Sequence, residues 1–247
     1  MDREAYLKQE LQTIGIEIND HQVQQFMKYY DMVLQKNMVM NLTAITEYTE
    51  FVKKHFVDSL MIFRQKAPKA GMCMIDIGTG AGFPGIPIKI AYPEVSMVLL
   101  DSLNKRVLFL QDVIHELGLQ DIIAIHERAE GPAHQAEYRE SFDICVSRAV
   151  ANLTTLVEYC LPYVKVSGEF ISYKSGKITD ELLNAEYAIN VLGGKVDVVE
   201  SFELPGSDME RTLVHIKKVK QTPKKYPRSA GKPSKEPLRP DENRLQK

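Results

Sequence analysis

Residues 72–87, the most informative segment of the chain, read Met-Cys-Met-Ile-Asp-Ile-Gly-Thr-Gly-Ala-Gly-Phe-Pro-Gly-Ile-Pro. It starts as an apolar run with the length of a buried strand and ends as the start of an apolar helix. Between them, Gly78, Gly80 and Gly82 permit positive φ angles and let a ligand approach the backbone closely. We therefore predict that residues 76–85, the glycine loop, form a ligand-binding turn; a tight turn that binds nothing is the alternative.

The downstream chain repeats this alternation of strand and helix. Further short apolar runs, separated by amphipathic segments, occupy residues 95–100, 122–125, 142–146 and 169–173. Two last runs, 196–202 and 211–219, flank Pro205-Gly206-Ser207-Asp208 and predict an antiparallel hairpin. The pattern predicts an α/β fold with a mostly parallel, Rossmann-like sheet, in which ligands bind at the carboxyl ends of the strands near the topological switch point.

Residues 1–68 have helical periodicity and no strand pattern. The clearest part is residues 23–34, where the large apolar side chains fall on one face at 3.6 residues per turn. We predict an N-terminal helical cap over 1–68 and a ligand-binding domain over 69–220.

Asp76, two residues before the first glycine, bears on the identity of the ligand. The spacing Gly80-x-Gly82-x-x-Gly85 matches the fingerprint that places a pyrophosphate at a helix N-terminus. A carboxylate in the same cleft repels a pyrophosphate but suits the ammonium and sulfonium groups of S-adenosylmethionine. The methionine carboxylate of that ligand is then expected to bind free N–H groups of the loop, while Asp76 faces the amino end.

Two later strand ends add candidate cofactor contacts. Asp101 follows the second strand, where an acid can accept hydrogen bonds from both ribose hydroxyls of NAD or S-adenosylmethionine. Alternatively, it only caps the helix that starts near Asn104. Ala129 and Glu130 end the third strand and offer an N–H group and a carboxylate to an adenine ring, although a loop acid such as Glu130 is often merely solvated.

Four segments, in this order, resemble the bacterial RsmG family, also called glucose-inhibited division protein B. They are Asn41-Leu-Thr-Ala-Ile45, His55-Phe-Val-Asp-Ser-Leu60, the glycine loop continued to Pro87, and Ser147-Arg-Ala-Val150. The resemblance covers about residues 1–219 and implies a class I methyltransferase that acts on N7 of a guanine in 16S ribosomal RNA. At matching positions it implies cofactor contacts from Gly78, Phe83, Ala129, Glu130 and Arg148. Asp76, Gly80, Gly82 and Asp101 are added from the residues themselves.

Arg148 and Lys174 follow the fourth and fifth strands, at the edge where the glycine loop opens. An arginine can donate to guanine O6 or to a phosphate; alternatively, Arg148 caps a helix or pairs with Asp143. Lys174 is predicted to hold RNA phosphates, with a solvated loop lysine as the alternative. His55 and Asn41, in the cap, are candidates for a roof over the guanine, and core or capping roles are equally open to them.

The expected chemistry needs few special groups. Guanine N7 carries a lone pair and no proton, so no general base is required. Catalysis is then mostly positioning of the methyl donor and acceptor. The sequence suggests no metal site, since His115 and His126 lack paired ligand spacing.

Charge is distributed unevenly along the chain. Residues 217–247 contain 11 basic and 3 acidic residues, net +8, which leaves 20 basic against 30 acidic residues, net −10, in residues 1–216. Five of the 12 prolines also lie in the C-terminal stretch. We predict a flexible, basic, proline-rich tail over 221–247 that anchors the protein on ribosomal RNA electrostatically.

Composition limits the remaining possibilities. The chain of 247 residues is 44% hydrophobic and 26% charged, as in a globular protein. Its apolar runs are far shorter than the ~20 residues of a membrane-spanning helix, and its N-terminus lacks signal-peptide features. We expect a cytoplasmic monomer that acts on 16S ribosomal RNA or the small ribosomal subunit, without a membrane partner. The alternatives are an NAD-dependent oxidoreductase and a non-catalytic, RNA-binding ribosome assembly factor.

Overall fold

The computed structural model describes residues 2–148 and 151–240. The strands are β1 (Cys73–Ile77), β2 (Ser96–Asp101), β3 (Ile122–His126), β4 (Phe142–Arg148), β5 (Val164–Ser175), β6 (Gly194–Glu203) and β7 (Glu210–Lys218). Within the described residues they form one sheet in the order β3-β2-β1-β4-β5-β7-β6. Strands β1 to β5 are parallel, and β7 runs antiparallel between β5 and β6. The predicted α/β architecture and its terminal hairpin are confirmed.

The helices are α1 (Arg3–Thr13), α2 (Asp20–Met40), α3 (Tyr48–Phe51), α4 (Asp58–Leu60), α5 (Gly85–Ala91), α6 (Asn104–Glu116), α7 (Leu153–Cys160), α8 (Thr179–Val191) and α9 (Lys232–Lys235). A π-helical segment, Val52–Val57, joins α3 to α4, and a 3₁₀ turn, Met61–Phe63, follows. In the part of the chain that the structure describes, no helix is both long and apolar enough to cross a membrane.

The glycine loop leaves the sheet at the topological switch point. Strand β1 pairs with β2 on one side and β4 on the other, so Asp76 lies level with Leu99 and Val146. The carboxyl ends of these three strands therefore meet at one edge, which is where open α/β sheets bind ligands.

Two apolar cores cover the two faces of the sheet, because successive strand side chains point to opposite sides. Met74 and Leu99 belong to the core that contains the N-terminal helices, α5 and α6. Ile75 and Cys145 belong to the core that contains α7 and α8. The strands read as continuous apolar runs because both faces are covered.

Direct hydrogen bonds fasten the N-terminal helices to the loop and to α5. The side-chain amide of Gln22 donates to the carbonyl oxygens of Ile90 (2.8 Å) and Ala91 (3.1 Å) at the end of α5. The Tyr29 hydroxyl donates to the carbonyl of Ala81 at 2.8 Å. Tyr29 is completely buried. The cap thus holds the glycine loop directly.

The C-terminal segment differs from the predicted flexible tail as far as residue 240. Tyr226 and Leu238 are buried in the core that contains α7 and α8. The Arg228 guanidinium is paired with Glu158, which is fully buried. Charge and proline content predicted an unpacked chain, but two apolar anchors and a buried acid on α7 are enough to hold this segment on the domain. The rest of the predicted tail, 241–247, lies outside the described residues.

Candidate functional site

The glycines of the loop have different roles. Gly78, Gly80 and Gly82 all have positive φ angles, of 71°, 65° and 108°. A Cβ atom at Gly80 would meet nothing within 4 Å, so this position is open to a ligand. A Cβ atom at Gly82 would lie 2.6 Å from Ile86 and 2.8 Å from the Tyr29 hydroxyl. Gly82, predicted as a cofactor contact, is therefore required by packing against the cap.

The N–H groups of the loop are largely used within the protein. Those of Gly78 and Thr79 donate to the carbonyl of Leu100, at 2.8 and 3.2 Å. The Gly80 N–H donates to Asp101 Oδ2 at 2.9 Å, and those of Gly82 and Phe83 donate to the carbonyl of Thr79. These five N–H groups are therefore not free to bind a carboxylate, because the loop folds back onto itself and onto the end of β2. The Ala81 N–H has no acceptor among the described residues, so the expected carboxylate contact of the loop stays a prediction for that group.

Asp76 is completely buried at the end of β1. Its Oδ2 atom accepts hydrogen bonds from the Thr79 hydroxyl (2.7 Å) and the Gly85 N–H (2.9 Å). Among the described residues, its Oδ1 atom has no hydrogen-bond partner. Burial raises the pKa of Asp76 to about 6, against the lowering effect of these hydrogen bonds. A buried acceptor without a partner is costly, which favours a ligand that donates a hydrogen bond here.

Asp101 does not cap α6, whose N-cap is Leu103, but it holds the turn before that helix, and its ribose contact stays a prediction. Its Oδ1 atom accepts from the Leu103 N–H at 2.9 Å, in the turn that starts α6, while Oδ2 holds the Gly80 N–H. It also lines a cavity at the ends of β1 to β3. A carboxylate has about four lone-pair positions, so two backbone contacts leave acceptor capacity for a ligand.

The cavity beside Asp101, here the first cavity, has a volume of about 270 Å³. Its lining residues are Ile77, Gly78, Leu100, Asp101, Ser102, Glu127, Arg128, Ala129, Glu130, Tyr159, Gly231 and Ser234. The structure thus brings together the candidates Gly78, Asp101, Ala129 and Glu130. Glu130 is buried, and its Oε1 atom accepts from the Gly231 N–H at 2.7 Å, so it is not a solvated loop acid.

A second cavity of about 610 Å³ lies at the ends of β4 and β5. Its lining includes Arg148, Lys174, His55, Asp58 and Arg211. Asp58 is buried and accepts from both guanidinium groups, from Arg148 Nη1 at 2.9 Å and from Arg211 Nε at 2.8 Å. The carboxylate thereby fixes two cations that would otherwise repel each other. Arg148 does not pair with Asp143, the alternative partner.

His55 is held in one tautomer by its neighbours. Arg148 Nη2 lies 3.2 Å from Nδ1, and an arginine can only donate, so Nδ1 is the acceptor. The ring proton is therefore on Nε2, which lies 2.8 Å from the Thr43 hydroxyl. Burial, together with the charges of Arg148 and Arg211, lowers the pKa of His55 to about 3. His55 is therefore neutral near pH 7.

We expect His55 to stay unprotonated down to roughly pH 5, since this pKa is far below the ordinary value near 6.5. Histidine ring shifts followed by two-dimensional NMR between pH 5 and 8 should show one ring without a titration step. His55→Gln would identify its signal. A midpoint above pH 6 for that signal would contradict the assigned arrangement. Because the unfolded chain binds this proton more readily, stability should fall as the pH drops below about 6.5.

Phe83 connects the glycine loop to the second cavity. Its ring stacks on His55, with centroids 4.5 Å apart and an interplanar angle of 12°. The Arg148 guanidinium carbon lies 5.1 Å from the centroid of the same ring. The loop thus supplies a wall against which His55 and Arg148 are fixed.

The other substrate-side candidates occupy different positions. Lys174 Nζ donates to Glu181 Oε1 at 2.6 Å and to the Ala151 carbonyl at 2.9 Å. It is therefore a paired lysine at the wall of the second cavity rather than a solvated one. Asn41 is the exposed C-cap of α2, with φ of 48°, and does not line this cavity. The structure thus gives it the capping role that was open in the sequence.

Sequence reasoning did not single out Asp58 and Arg211 as site residues. Asp58 lies three residues after His55, so the helical spacing of two polar residues in an apolar segment was an available signal. Arg211 lies on β7, 153 positions from Asp58 along the chain, and no local pattern marks it. Across the described ranges 2–148 and 151–240, no group of three or more His, Cys, Asp or Glu side chains is placed to hold a metal ion.

Comparison with known families gives one extended match. The family model for rRNA small subunit methyltransferase G (GidB) matches residues 22–214. The ribosomal RNA small subunit methyltransferase G of Lachnoclostridium phytofermentans is 56% identical over 230 residues, which are 93% of this chain and 95% of the relative. That of Alkaliphilus metalliredigens is 50% identical over 239 residues, 97% of this chain and 100% of the relative.

Solved structures show the same fold at low sequence identity. A SAM-dependent methyltransferase from Aquifex aeolicus superposes with a TM-score of 0.52 and 16% identity, covering 69% of this chain and 93% of its own. M. jannaschii TYW2, in complex with AdoMet, gives a TM-score of 0.52 at 12% identity, covering 71% of this chain and 80% of its own. The sheet is thus that of class I methyltransferases.

Proposed function

The chain belongs to the rRNA small subunit methyltransferase G (GidB) family, and from this premise we propose that it transfers a methyl group from S-adenosylmethionine to N7 of a guanine in 16S ribosomal RNA. One observation carries the proposal. Two cavities open at the same edge of the sheet, and the glycine loop lies between them: Gly78 lines the first, and the Phe83 ring packs against His55 and Arg148, which line the second. A donor site and an acceptor site on either side of one loop suit direct group transfer.

The residues of the first cavity and the glycine loop suit S-adenosylmethionine. Asp76 Oδ1, without a partner among the described residues, can accept from the amino group of the methionine part. Gly80 leaves open space for the chain of that part. Asp101 can accept from the ribose, and Glu130 can accept from the adenine amino group. Because most of the loop N–H groups are used, we assign the methionine carboxylate to the positive field of Arg148.

The second cavity suits a guanine base with its phosphate. Lys54, Arg148, Lys174 and Arg211 line it; each is paired with a carboxylate, but Arg148 and Arg211 share that of Asp58, so one positive charge is left over. An arginine can donate to guanine O6 while a lysine holds a phosphate oxygen. The base has to be unstacked from its neighbours to enter, which favours a loop or splayed nucleotide.

The proposed reaction needs positioning rather than proton transfer. S-adenosylmethionine supplies an electrophilic methyl group, and the N7 lone pair of guanine is the nucleophile. Since N7 carries no proton, the neutral His55 is not required as a base and serves to orient Arg148. Holding donor and acceptor in line at near-attack distance contributes up to ~7 to 11 kcal/mol in favourable cases.

Cofactor affinity should depend on pH through Asp76. Its pKa is raised to about 6, so in the free protein the carboxyl is increasingly protonated below that pH, whereas the proposed complex holds it ionised against an ammonium group. The affinity for S-adenosylhomocysteine should therefore fall as the pH drops from 7 to 5, by up to about tenfold per pH unit. Calorimetry at several pH values measures this, and Asp76→Asn should remove the dependence. An unchanged slope in that variant would contradict the assignment.

The exposed lysines of the C-terminal segment remain our proposed contacts to RNA phosphates. Lys224, Lys225, Lys232 and Lys235 are all exposed. Replacing the four with glutamine should reduce the slope of log Kd against log salt by about 2 to 3, because each single-stranded phosphate contact contributes about 0.7. Filter binding to 16S ribosomal RNA over a salt series measures the slope. The same slope in variant and parent would show that these four lysines do not contact RNA phosphates.

The function is tested by methyl transfer to small ribosomal subunits from cells that lack this protein. Incorporation of a radiolabelled methyl group, followed by borohydride reduction and aniline cleavage, identifies N7-methylguanine because that modification makes the chain cleavable. Label without a cleavage site would exclude N7 while leaving methyl transfer intact. A saturated complex without label favours the assembly-factor alternative. Tight NADH binding with no S-adenosylhomocysteine binding favours the oxidoreductase.

A further inference from the structure

The C-terminal segment reaches the first cavity along the face of the sheet that α7 and α8 cover, which is opposite to the face covered by the N-terminal helices. Residues 226–238, here the C-terminal strap, lie beyond the part of the chain that the family model matches, 22–214. The strap passes over α7, and Gly231 and Ser234 form part of the cavity lining. A cavity made of sheet-edge loops is therefore completed by a segment distant in sequence.

A buried ion pair fixes the strap to α7. Glu158 is fully buried, and it accepts from Arg228 Nε at 2.9 Å and from Arg228 Nη2 at 2.6 Å. The backbone N–H of Arg228 donates to the same carboxylate at 2.8 Å. A planar guanidinium bound at two atoms has a defined orientation, so this pair sets the position of the strap as well as holding it.

Further contacts hold the strap on both sides of that pair. Arg139 donates to the carbonyl of Tyr226 at 2.9 Å, and His134 Nε2 lies 2.9 Å from the carbonyl of Pro227. The Thr155 hydroxyl donates to the carbonyl of Pro233 at 3.3 Å. Tyr226 and Leu238 are buried at the two ends. The strap is thus anchored along its length.

At the first cavity, the strap contacts Glu130, which we assign to cofactor binding. The N–H of Gly231 donates to Glu130 Oε1 at 2.7 Å. The Ser234 hydroxyl donates to the carbonyl of Gly231 at 3.0 Å, which closes the turn. Glu130 is buried, and this contact fixes its carboxylate in the loop after β3, which ends at His126 rather than at the expected Ala129 and Glu130. The adenine end of the cavity therefore depends on the strap.

We propose that Gly231 and Ser234 are cofactor-site residues and that the strap forms the outer wall of the adenosine pocket. This inference rests on the proposed binding of S-adenosylmethionine in the first cavity. The strap positions Glu130 to accept from the adenine amino group and shields that contact from water. The strap then serves cofactor binding, while its exposed lysines stay available to RNA.

Hydrogen–deuterium exchange on the intact chain tests the wall directly, with S-adenosylhomocysteine as the probe. We expect slower exchange at the amides of 229–236 as well as in the glycine loop. Protection of the loop without any change in the strap would overturn the inference and leave the proposed cofactor intact. No protection in either place would instead reject the proposed cofactor site, and the inference with it.

A pair of truncations gives a second measurement. A chain ending at Lys225 lacks the strap, whereas a chain ending at Pro240 keeps it. We expect the shorter chain to bind S-adenosylhomocysteine at least about tenfold more weakly, a change of about 1.4 kcal/mol, and the longer chain to bind like the parent. Equal affinity in both truncations would overturn the proposal; if the shorter chain does not fold, the exchange experiment decides.

Discussion

Replacing Asp76 with asparagine is expected to lower the affinity for S-adenosylhomocysteine on the order of a hundredfold, because a buried charged partner of the ammonium group is worth about 2 to 5 kcal/mol. The fold should be at least as stable at pH 7. The pKa of Asp76 is raised to about 6 from 3.8, so between these two pH values the folded chain holds a proton that the unfolded chain has lost. The contribution of Asp76 to the stability of the fold therefore falls as the pH rises from 3.8 to about 6. The neutral side chain of Asp76→Asn avoids that loss.

Isothermal calorimetry and thermal unfolding separate the two effects. Asp112→Asn is the matched control, since Asp112 is exposed on α6 and the chemical change is the same. Binding of 16S ribosomal RNA should be unchanged in both variants. A loss of cofactor affinity that is accompanied by an equal loss of stability would show that Asp76 has only a packing role.

Replacing Arg148 with lysine should reduce the rate of methyl transfer by about a hundredfold, although the charge is kept. The guanidinium contacts Asp58 Oδ2, lies beside His55 Nδ1 and covers the Phe83 ring. A single ammonium group can keep the ion pair but cannot reproduce this planar set of contacts. Stability should change little, because Asp58 keeps a cation on each oxygen. Loss of orientation at the reacting atoms alone is enough for such a decrease in rate.

Single-turnover methyl transfer and calorimetry with S-adenosylhomocysteine are the measurements. Arg64→Lys is the control, since Arg64 also pairs with a carboxylate, that of Glu200, and lies outside both cavities. It should transfer methyl groups at the parental rate. Parental single-turnover rates in Arg148→Lys would remove Arg148 from the site of transfer.

Much of the fold was determined by local sequence. Short continuous apolar runs that alternate with helical patterns predict a parallel sheet. The glycine loop after the first strand predicts the edge of the sheet at which a ligand binds. Asp76, Gly80 and Asp101 followed from the same reasoning, because residues at adjacent strand ends must meet once the sheet is parallel. The resemblance carried by four short segments gave the family, which the match over 22–214 confirms.

Local sequence patterns were enough to predict the order of strands and helices, the position of the glycine loop and the carboxylate beside it. Three features are visible only in the folded chain: most N–H groups of the loop are used internally, Asp58 joins Arg148 to Arg211, and the C-terminal strap contacts Glu130. Helical and strand periodicity indicate which side of an element is buried, but they carry no information about its distant neighbours. Arg211 and Asp58 are 153 positions apart, and Gly231 and Glu130 are 101 apart. Such pairs are brought together by the order of the strands and by the path of the chain across α7, so their chemistry exists only in the folded molecule.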